Sequence, residues 1–68
     1  MQIKKIKMRK INESTLLATG DIVFLKPYKL ECTLLDEIND GFIIIFDVSH
    51  TVTYVTRKAL EGHFLKFL

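Results

Sequence analysis

Short runs of alternating apolar and polar residues, separated by turn-forming residues, cover most of this chain. In the run Leu30–Leu35, apolar side chains alternate with Glu31 and Thr33, which gives the run one buried and one exposed face. Thr51–Thr56 alternates in the same way, whereas Phe42–Phe46 is apolar on both faces because it contains consecutive isoleucines. Together with the apolar runs Asp21–Lys26 and His63–Leu68, these segments predict five short strands.

The residues between these runs are typical of turns. Asn39-Asp40-Gly41 is the strongest hairpin signal in the chain. Pro27-Tyr28 interrupts a strand because proline cannot donate to a ladder, and Arg57–Gly62 has the length of a single 3₁₀ turn. Short strands at regular spacing predict an all-β fold, a small and strongly bent antiparallel barrel of five strands. The chain is long enough for one domain, with the barrel over residues 20–68.

The N-terminal segment Gln2–Ile11 fits more than one conformation. Ile6 and Met8 alternate with basic residues as in a strand, but Ile3 and Ile11 fall on the opposite parity. A helix, a strand and a disordered arm therefore all stay open, and Ser14 has the position of a cap for one helical turn just after the segment.

Charge is distributed unevenly along the chain. Residues 1–11 carry a charge of +5 with no acid, and residues 12–68 carry five bases and eight acids, which is −3. A basic arm over residues 1–13 thus precedes a mildly acidic body, and it is either a solvated segment or an electrostatic contact for nucleic acid or an acidic protein. The bases of the arm are Lys4, Lys5, Lys7, Arg9 and Lys10.

A domain of 68 residues is marginal in stability when it is alone. Its one cysteine, Cys32, excludes an internal disulfide, and one cysteine with two separated histidines does not make a zinc cage, so neither a metal nor another cofactor is expected. Oligomerisation is the remaining means of stabilisation. The two-sided apolar runs Phe42–Phe46 and Phe64–Leu68 are candidates for pairing between subunits, and the alternative is a central strand covered by the N-terminal arm.

The sequence contains no spacing that is typical of a catalytic site, so the chain is not expected to be an enzyme. No apolar run approaches the roughly 20 residues of a membrane helix. The absence of an export signal and the single cysteine predict a cytoplasmic protein.

Four stretches carry a resemblance to a known family. Val23–Lys26, Lys29–Leu34 and Ile38–Ile45 form a strand, a turn, a second strand and an aliphatic third strand, and Val55–Leu60 comes directly before the last strand. The first three are similar to the first Sm motif, and the fourth is similar to the Hfq-type Val-Tyr-Lys-His-Ala-Ile turn. The chain thus resembles the Sm-like and Hfq family of RNA-binding barrels over about residues 21–68.

This resemblance implies a ring-forming protein that binds single-stranded RNA without catalysis. In the family, the fourth strand of one subunit pairs with the last strand of the next, and the expected assembly is a ring of five to seven copies. The RNA pocket of the family lies at two turns around the pore, with an aromatic stacking face and bases that meet phosphate. The matching positions in this chain are Asn39, Asp40, Phe42, Arg57 and Lys58.

A second resemblance leads to a different function. Gly20–Lys26 is similar to the opening of small SH3-like barrel proteins. It implies an alternative in which the chain is a protein-interaction module or a small phage-type regulator that does not bind nucleic acid.

Overall fold

The computed structural model describes residues 7–67, and nearly all of its regular structure is β-strand. One 3₁₀ turn, Lys26–Tyr28, connects the second and third strands, and a four-residue helix, α1 (Arg57–Leu60), connects the fifth and sixth. The strands are β1 (Lys7–Lys10), β2 (Ile22–Leu25), β3 (Leu30–Ile38), β4 (Gly41–Phe46), β5 (Val52–Thr56) and β6 (Phe64–Phe67).

These strands form one antiparallel sheet in the order β1-β6-β2-β3-β4-β5. The predicted all-β class is confirmed, and each of the five predicted runs overlaps one strand, although β3 continues to Ile38, beyond the predicted end at Leu35. Within residues 7–67 the sheet has six strands, and its two edges, β1 and β5, are not joined to each other. No helix in this part of the chain has the length and apolar character needed to cross a membrane.

The additional strand comes from the basic N-terminal segment. Met8 lies opposite Lys66, and Lys10 lies opposite Phe64. Of the three conformations that the sequence left open, a strand is therefore found for Lys7–Lys10, which belongs to the sheet. Lys4 and Lys5 lie outside the described residues.

The helical turn expected after Ser14 is not formed. Asn12 Oδ1 accepts hydrogen bonds from the Ser14 N–H at 2.9 Å and from Ser14 Oγ at 2.8 Å. A side chain that bonds the backbone two residues later favours a turn over a helix. The Ser14 hydroxyl donates to Asn12 and does not act as a helix cap.

The last strand is not an edge of the sheet. β6 pairs with β2 on one side and with β1 on the other, so Arg9 lies opposite Leu65 and Val23 lies opposite the same residue. The expectation that the last strand is a subunit edge is wrong for this chain, because the N-terminal strand already satisfies its backbone groups. The alternative, a central strand covered by the N-terminal segment, describes Phe64–Phe67.

The core lies on one face of the sheet. Val23, Cys32, Leu34 and Ile44 are almost completely buried there, and the burial of Cys32 was expected from the alternation of its strand. A β-bulge shifts the register between Leu34 and Asp36 and bends β3. The remaining buried apolar residues are Ile11, Leu25, Phe42 and Leu60.

The β3–β4 hairpin and the β5–α1 junction lie side by side at one end of the sheet. Asn39 adopts a φ of 52°, a left-handed conformation that asparagine tolerates better than most residues. Gly41 lies opposite Thr56, and a Cβ atom on Gly41 would come within 2.2 Å of the Val55 carbonyl oxygen. The predicted 3₁₀ turn after β5 is instead one α-helical turn, which Thr56 caps by accepting a hydrogen bond from the Ala59 N–H at 3.1 Å.

Candidate nucleic-acid interface

The structure brings together four of the five residues that the family resemblance assigned to RNA binding. Asn39 and Asp40 form the β3–β4 turn, and Arg57 and Lys58 begin α1. The Arg57 N–H donates to the Asp40 carbonyl oxygen at 2.7 Å, so the two turns are in direct contact. Their proximity follows from the β4–β5 pairing, which starts at Gly41 and ends at Thr56.

Phe42 is different, because its side chain is part of the core. Its relative exposure is 2%, and it packs on the same face of β4 as Ile44. A base cannot stack on a ring that has no accessible face. The family resemblance assigned the stacking face to Phe42, and the structure places this side chain in the core instead.

The Arg57 guanidinium also has structural partners. Nη2 donates to the Asn12 carbonyl oxygen at 3.2 Å and, over a shorter distance, to the Thr15 carbonyl oxygen. Nη1 forms an ion pair with Glu61 Oε2 at 3.2 Å. The side chain therefore holds the loop after β1 against α1, and binding a phosphate would require it to give up these contacts.

The electrostatics of this end of the sheet are unfavourable for phosphate. Asp36, Glu37 and Asp40 are all exposed on the β3–β4 hairpin. Lys58 is exposed nearby on α1, and it is outnumbered by these carboxylates. Asp40 also accepts a hydrogen bond from the Tyr54 hydroxyl at 3.1 Å.

A different surface combines aromatic rings with basic side chains. Phe24 on β2 lies opposite Phe64 on β6, and Phe64 lies opposite Lys10 on β1. Residues that face each other across antiparallel strands share one face of the sheet. This face is the one opposite the core, because Val23 and Leu25 on either side of Phe24 are buried.

This surface contains a shallow apolar pocket of about 230 Å³, lined by Met8, Phe24, Lys26 and Phe64. Lys26 Nζ lies 5.7 Å from the centroid of the Phe64 ring, within the range of a cation–π interaction. Met8, Lys10, Phe24, Lys26 and Phe64 are called the Phe24–Phe64 platform below.

One acid adjoins the platform in the sheet, and it is paired with a basic side chain. Glu31 lies opposite Phe24 on β3, and its carboxylate forms an ion pair with Lys66 Nζ. The charge of Glu31 is thereby offset, and Lys10 and Lys26 set the local potential of the platform.

A second groove, of about 480 Å³, lies on the other face of β1 and β6. The Arg9 guanidinium carbon lies 5.7 Å from the centroid of the Phe67 ring, and Leu65 and the loop of residues 12–16 complete the lining. The loop contributes Leu16, whose relative exposure is 91%. The hydroxyls of Ser14 and Thr15 are already bonded to the Asn12 side chain.

Cys32 has the properties of a core residue rather than a reactive one. It is completely buried. Burial, with a smaller contribution from the negative charge of Asp47, raises the pKa of its thiol to about 11. A thiolate is the reactive form of cysteine, so Cys32 is not suited to nucleophilic chemistry at neutral pH.

Among the candidate residues within 7–67, Lys10 belongs to the Phe24–Phe64 platform, and Arg9 lines the second groove. The pairing of Phe24 with Phe64 was missed because these residues are far apart in the chain. In comparisons with known proteins, no family model, no curated protein and no solved structure matches this chain.

Proposed function

We propose that this protein binds single-stranded RNA, without catalysis, on the Phe24–Phe64 platform. The observation that carries the proposal is the position of Phe24 and Phe64 opposite each other, with Lys10 and Lys26 beside Phe64. Proteins that bind single strands combine aromatic stacking faces with a positive surface that follows the backbone.

The two parts of the platform supply different contributions. Stacking of a base on an aromatic side chain is worth about 1–3 kcal/mol and is tolerant of sequence. Lys10 and Lys26 contribute phosphate contacts, whose strength falls with salt because bound counterions are released. The preference for RNA over single-stranded DNA rests on the resemblance of residues 21–68 to the Sm-like family. The pocket positions of that family correspond to the β3–β4 turn and α1 of this chain, and not to the platform.

A fluorescence-anisotropy titration with a labelled uridine-rich oligonucleotide, in about 50 mM and about 200 mM salt, tests the proposal. Phe64→Leu keeps an apolar side chain and removes the ring. We expect binding to weaken by about fivefold to thirtyfold, which corresponds to about 1–2 kcal/mol, the lower half of the stacking range. Phe67→Leu is the matched control, since this ring lies on the other face of β6 and should leave affinity unchanged.

The phosphate contacts have their own pair of variants. Lys26→Gln should weaken binding and reduce the slope of log affinity against log salt by about 0.7. Lys58→Gln removes the same charge at the opposite end of the sheet and should do neither. Equal effects of the two lysine variants would show non-specific attraction to total charge, and would refute the platform as the site.

A second candidate function, a protein-interaction module, is favoured by one observation. The second groove, called the Arg9–Phe67 groove below, is lined by the exposed apolar side chains of Leu16 and Phe67 together, and contiguous exposed apolar surface is typical of a protein contact. The same titration separates the two functions. Absence of oligonucleotide binding to the wild-type chain in about 50 mM salt would reject RNA binding and favour the module.

A further inference from the structure

The two edges of the sheet have opposite chemical characters. Three of the four residues of β1 are basic, and charged residues on an edge strand oppose pairing with another chain. β5, Val-Thr-Tyr-Val-Thr, contains neither a charged residue nor a proline. Among the described residues, β5 is thus the edge that lacks the usual protection against strand addition.

The hydrogen bonds at the two ends of β5 show which backbone groups face outward. Phe46 N–H donates to the Thr51 carbonyl oxygen at 2.9 Å, and Arg57 N–H donates to the Asp40 carbonyl oxygen at 2.7 Å. Since antiparallel pairs alternate between bonded and non-bonded residues, Thr51, Thr53, Val55 and Arg57 face β4. Val52 and Tyr54 turn their N–H and C=O groups toward the open edge. Thr56 contributes its N–H there, since its C=O is the first acceptor of α1.

The side chains of the same residues make this edge apolar. Val52 lies opposite Ile45, and Tyr54 lies opposite Ile43, on the face of the sheet away from the core. The relative exposures of Val52 and Tyr54 are 54% and 40%. The Tyr54 hydroxyl donates to Asp40 Oδ1 at 3.1 Å, so the ring leans across β4 toward the β3–β4 turn and leaves the outer backbone groups of Tyr54 uncovered.

We propose that β5 pairs antiparallel with β5 of a second copy of the chain, about a two-fold axis at Tyr54. Tyr54 would lie opposite the partner's Tyr54, and Val52 would lie opposite the partner's Thr56. The two strands then exchange about four backbone hydrogen bonds, two between the Tyr54 residues and one from each Thr56 N–H to the Val52 carbonyl oxygen of the other copy. The two-fold axis makes the contact self-complementary, so the assembly closes as a dimer.

The charges of the two edge strands favour pairing of β5 with a second β5 over any pairing that involves β1. A β5–β5 contact brings together two strands without charge, and cross-strand pairs of aromatic and β-branched residues stabilise such a contact. A β1–β1 contact would oppose three positive charges with three more. A β1–β5 contact is heterologous, so an assembly built from it has an unpaired β1 at one end and an unpaired β5 at the other unless it closes into a ring.

The β5–β5 contact is independent of the proposed RNA binding, since the Phe24–Phe64 platform lies on the other half of the sheet. Sedimentation velocity over a range of protein concentrations tests it. We expect a wild-type dimer, and we expect Tyr54→Lys to raise the dimer dissociation constant by at least a hundredfold because two lysines would meet at the axis. Met8→Lys is the matched control, because Met8 is exposed to 51% on the same face of the sheet, at the other edge.

Four outcomes would overturn the β5–β5 dimer. They are a monomeric wild-type chain, an unchanged dimer in Tyr54→Lys, an equal loss of the dimer in Met8→Lys, and a wild-type assembly of five to seven copies, which would favour the ring expected from the sequence. Circular dichroism checks that each variant is folded. If Tyr54→Lys does not fold, Val52→Lys takes its place, since Val52 is more exposed than Tyr54 and its side chain makes no hydrogen bond to Asp40.

Discussion

The side chain of Arg57 provides the sharpest test of the difference between the site expected from the sequence and the structure. If Arg57 is an RNA ligand, its removal weakens RNA binding and leaves the fold intact. If it holds the loop after β1, its removal destabilises the fold. Arg57→Ala deletes the contacts with the carbonyl oxygens of Asn12 and Thr15 and the ion pair with Glu61.

The size of the effect follows from these three contacts. A hydrogen bond that involves a charged group contributes about 1.5–3 kcal/mol. The contact with the Thr15 carbonyl oxygen is partly buried and the contact with the Asn12 carbonyl oxygen is exposed, so we take a reduced value of about 1 kcal/mol for each. The partly exposed i, i+4 ion pair with Glu61 adds about 0.3–0.5 kcal/mol. Arg57→Ala should therefore lower the free energy of unfolding by about 2–2.5 kcal/mol, which for a domain of this size is roughly 8–20 °C in Tm.

Urea unfolding followed by circular dichroism measures this change, and Lys58→Ala is the control. Lys58 is the exposed neighbour of Arg57 on α1, and its removal should change the free energy of unfolding by less than about 0.5 kcal/mol. Arg57→Lys keeps the charge but loses the forked geometry, so it should give an intermediate value. An Arg57→Ala variant as stable as Lys58→Ala would refute the structural role of the guanidinium.

Two further predictions concern positions outside the platform. Gly41→Ala should cost about 3 kcal/mol or prevent folding, because its Cβ would meet the β5 backbone at 2.2 Å from Val55 O. Gly62→Ala, with φ of 91° and no atom within 4 Å, should cost only about 1–2 kcal/mol in the same urea titration. Because the pKa of Cys32 is raised from 9.0 to about 11, the unfolded thiol ionises before the folded one. The free energy of unfolding should keep its full value below pH 9 and fall by up to about 2–3 kcal/mol as the pH rises to 11. Cys32→Ala should remove the contribution of the thiol to this fall. The same dependence of stability on pH in Cys32→Ala as in the wild-type chain would contradict the prediction.

The fold class could be predicted from the sequence because strand alternation is a local property. Leu30–Leu35 and Thr51–Thr56 show their two faces within six residues, and Asn39-Asp40-Gly41 identifies its hairpin without distant information. The N-terminal segment could not be assigned in this way. Ile11 falls on the opposite parity to Met8 because the two side chains lie on opposite faces of the sheet. The Ile11 N–H donates to the His63 carbonyl oxygen at 2.8 Å, which continues the β1–β6 pairing and places Ile11 in the core, whereas Met8 is exposed on the other face.

The candidate site was harder to predict because it depends on contacts between distant residues. The proximity of Asp40 and Arg57 followed from a family pattern, but the direction of the Arg57 side chain depends on a loop more than 40 residues earlier in the chain. The register that places Phe24 opposite Phe64 also has no local signal. A pattern of strands predicts which residues share a face within each strand, and the pairing of strands determines which of these faces meet.

The N-terminal strand β1 links the two proposals. By covering β6 with Lys7, Arg9 and Lys10, it replaces an apolar edge by a charged one, so strand addition is disfavoured on that side of the sheet. The same pairing places Lys10 and Met8 beside Phe64, which gives an aromatic surface its positive charge. A chain without β1 would lose both features together, with β6 free for pairing and the platform reduced to Phe24, Phe64 and Lys26. The basic N-terminal segment is thus better described as a strand of the sheet than as an arm attached to a complete barrel. This strand determines which edge of the sheet stays open to pairing, and it supplies positive charge to the aromatic face.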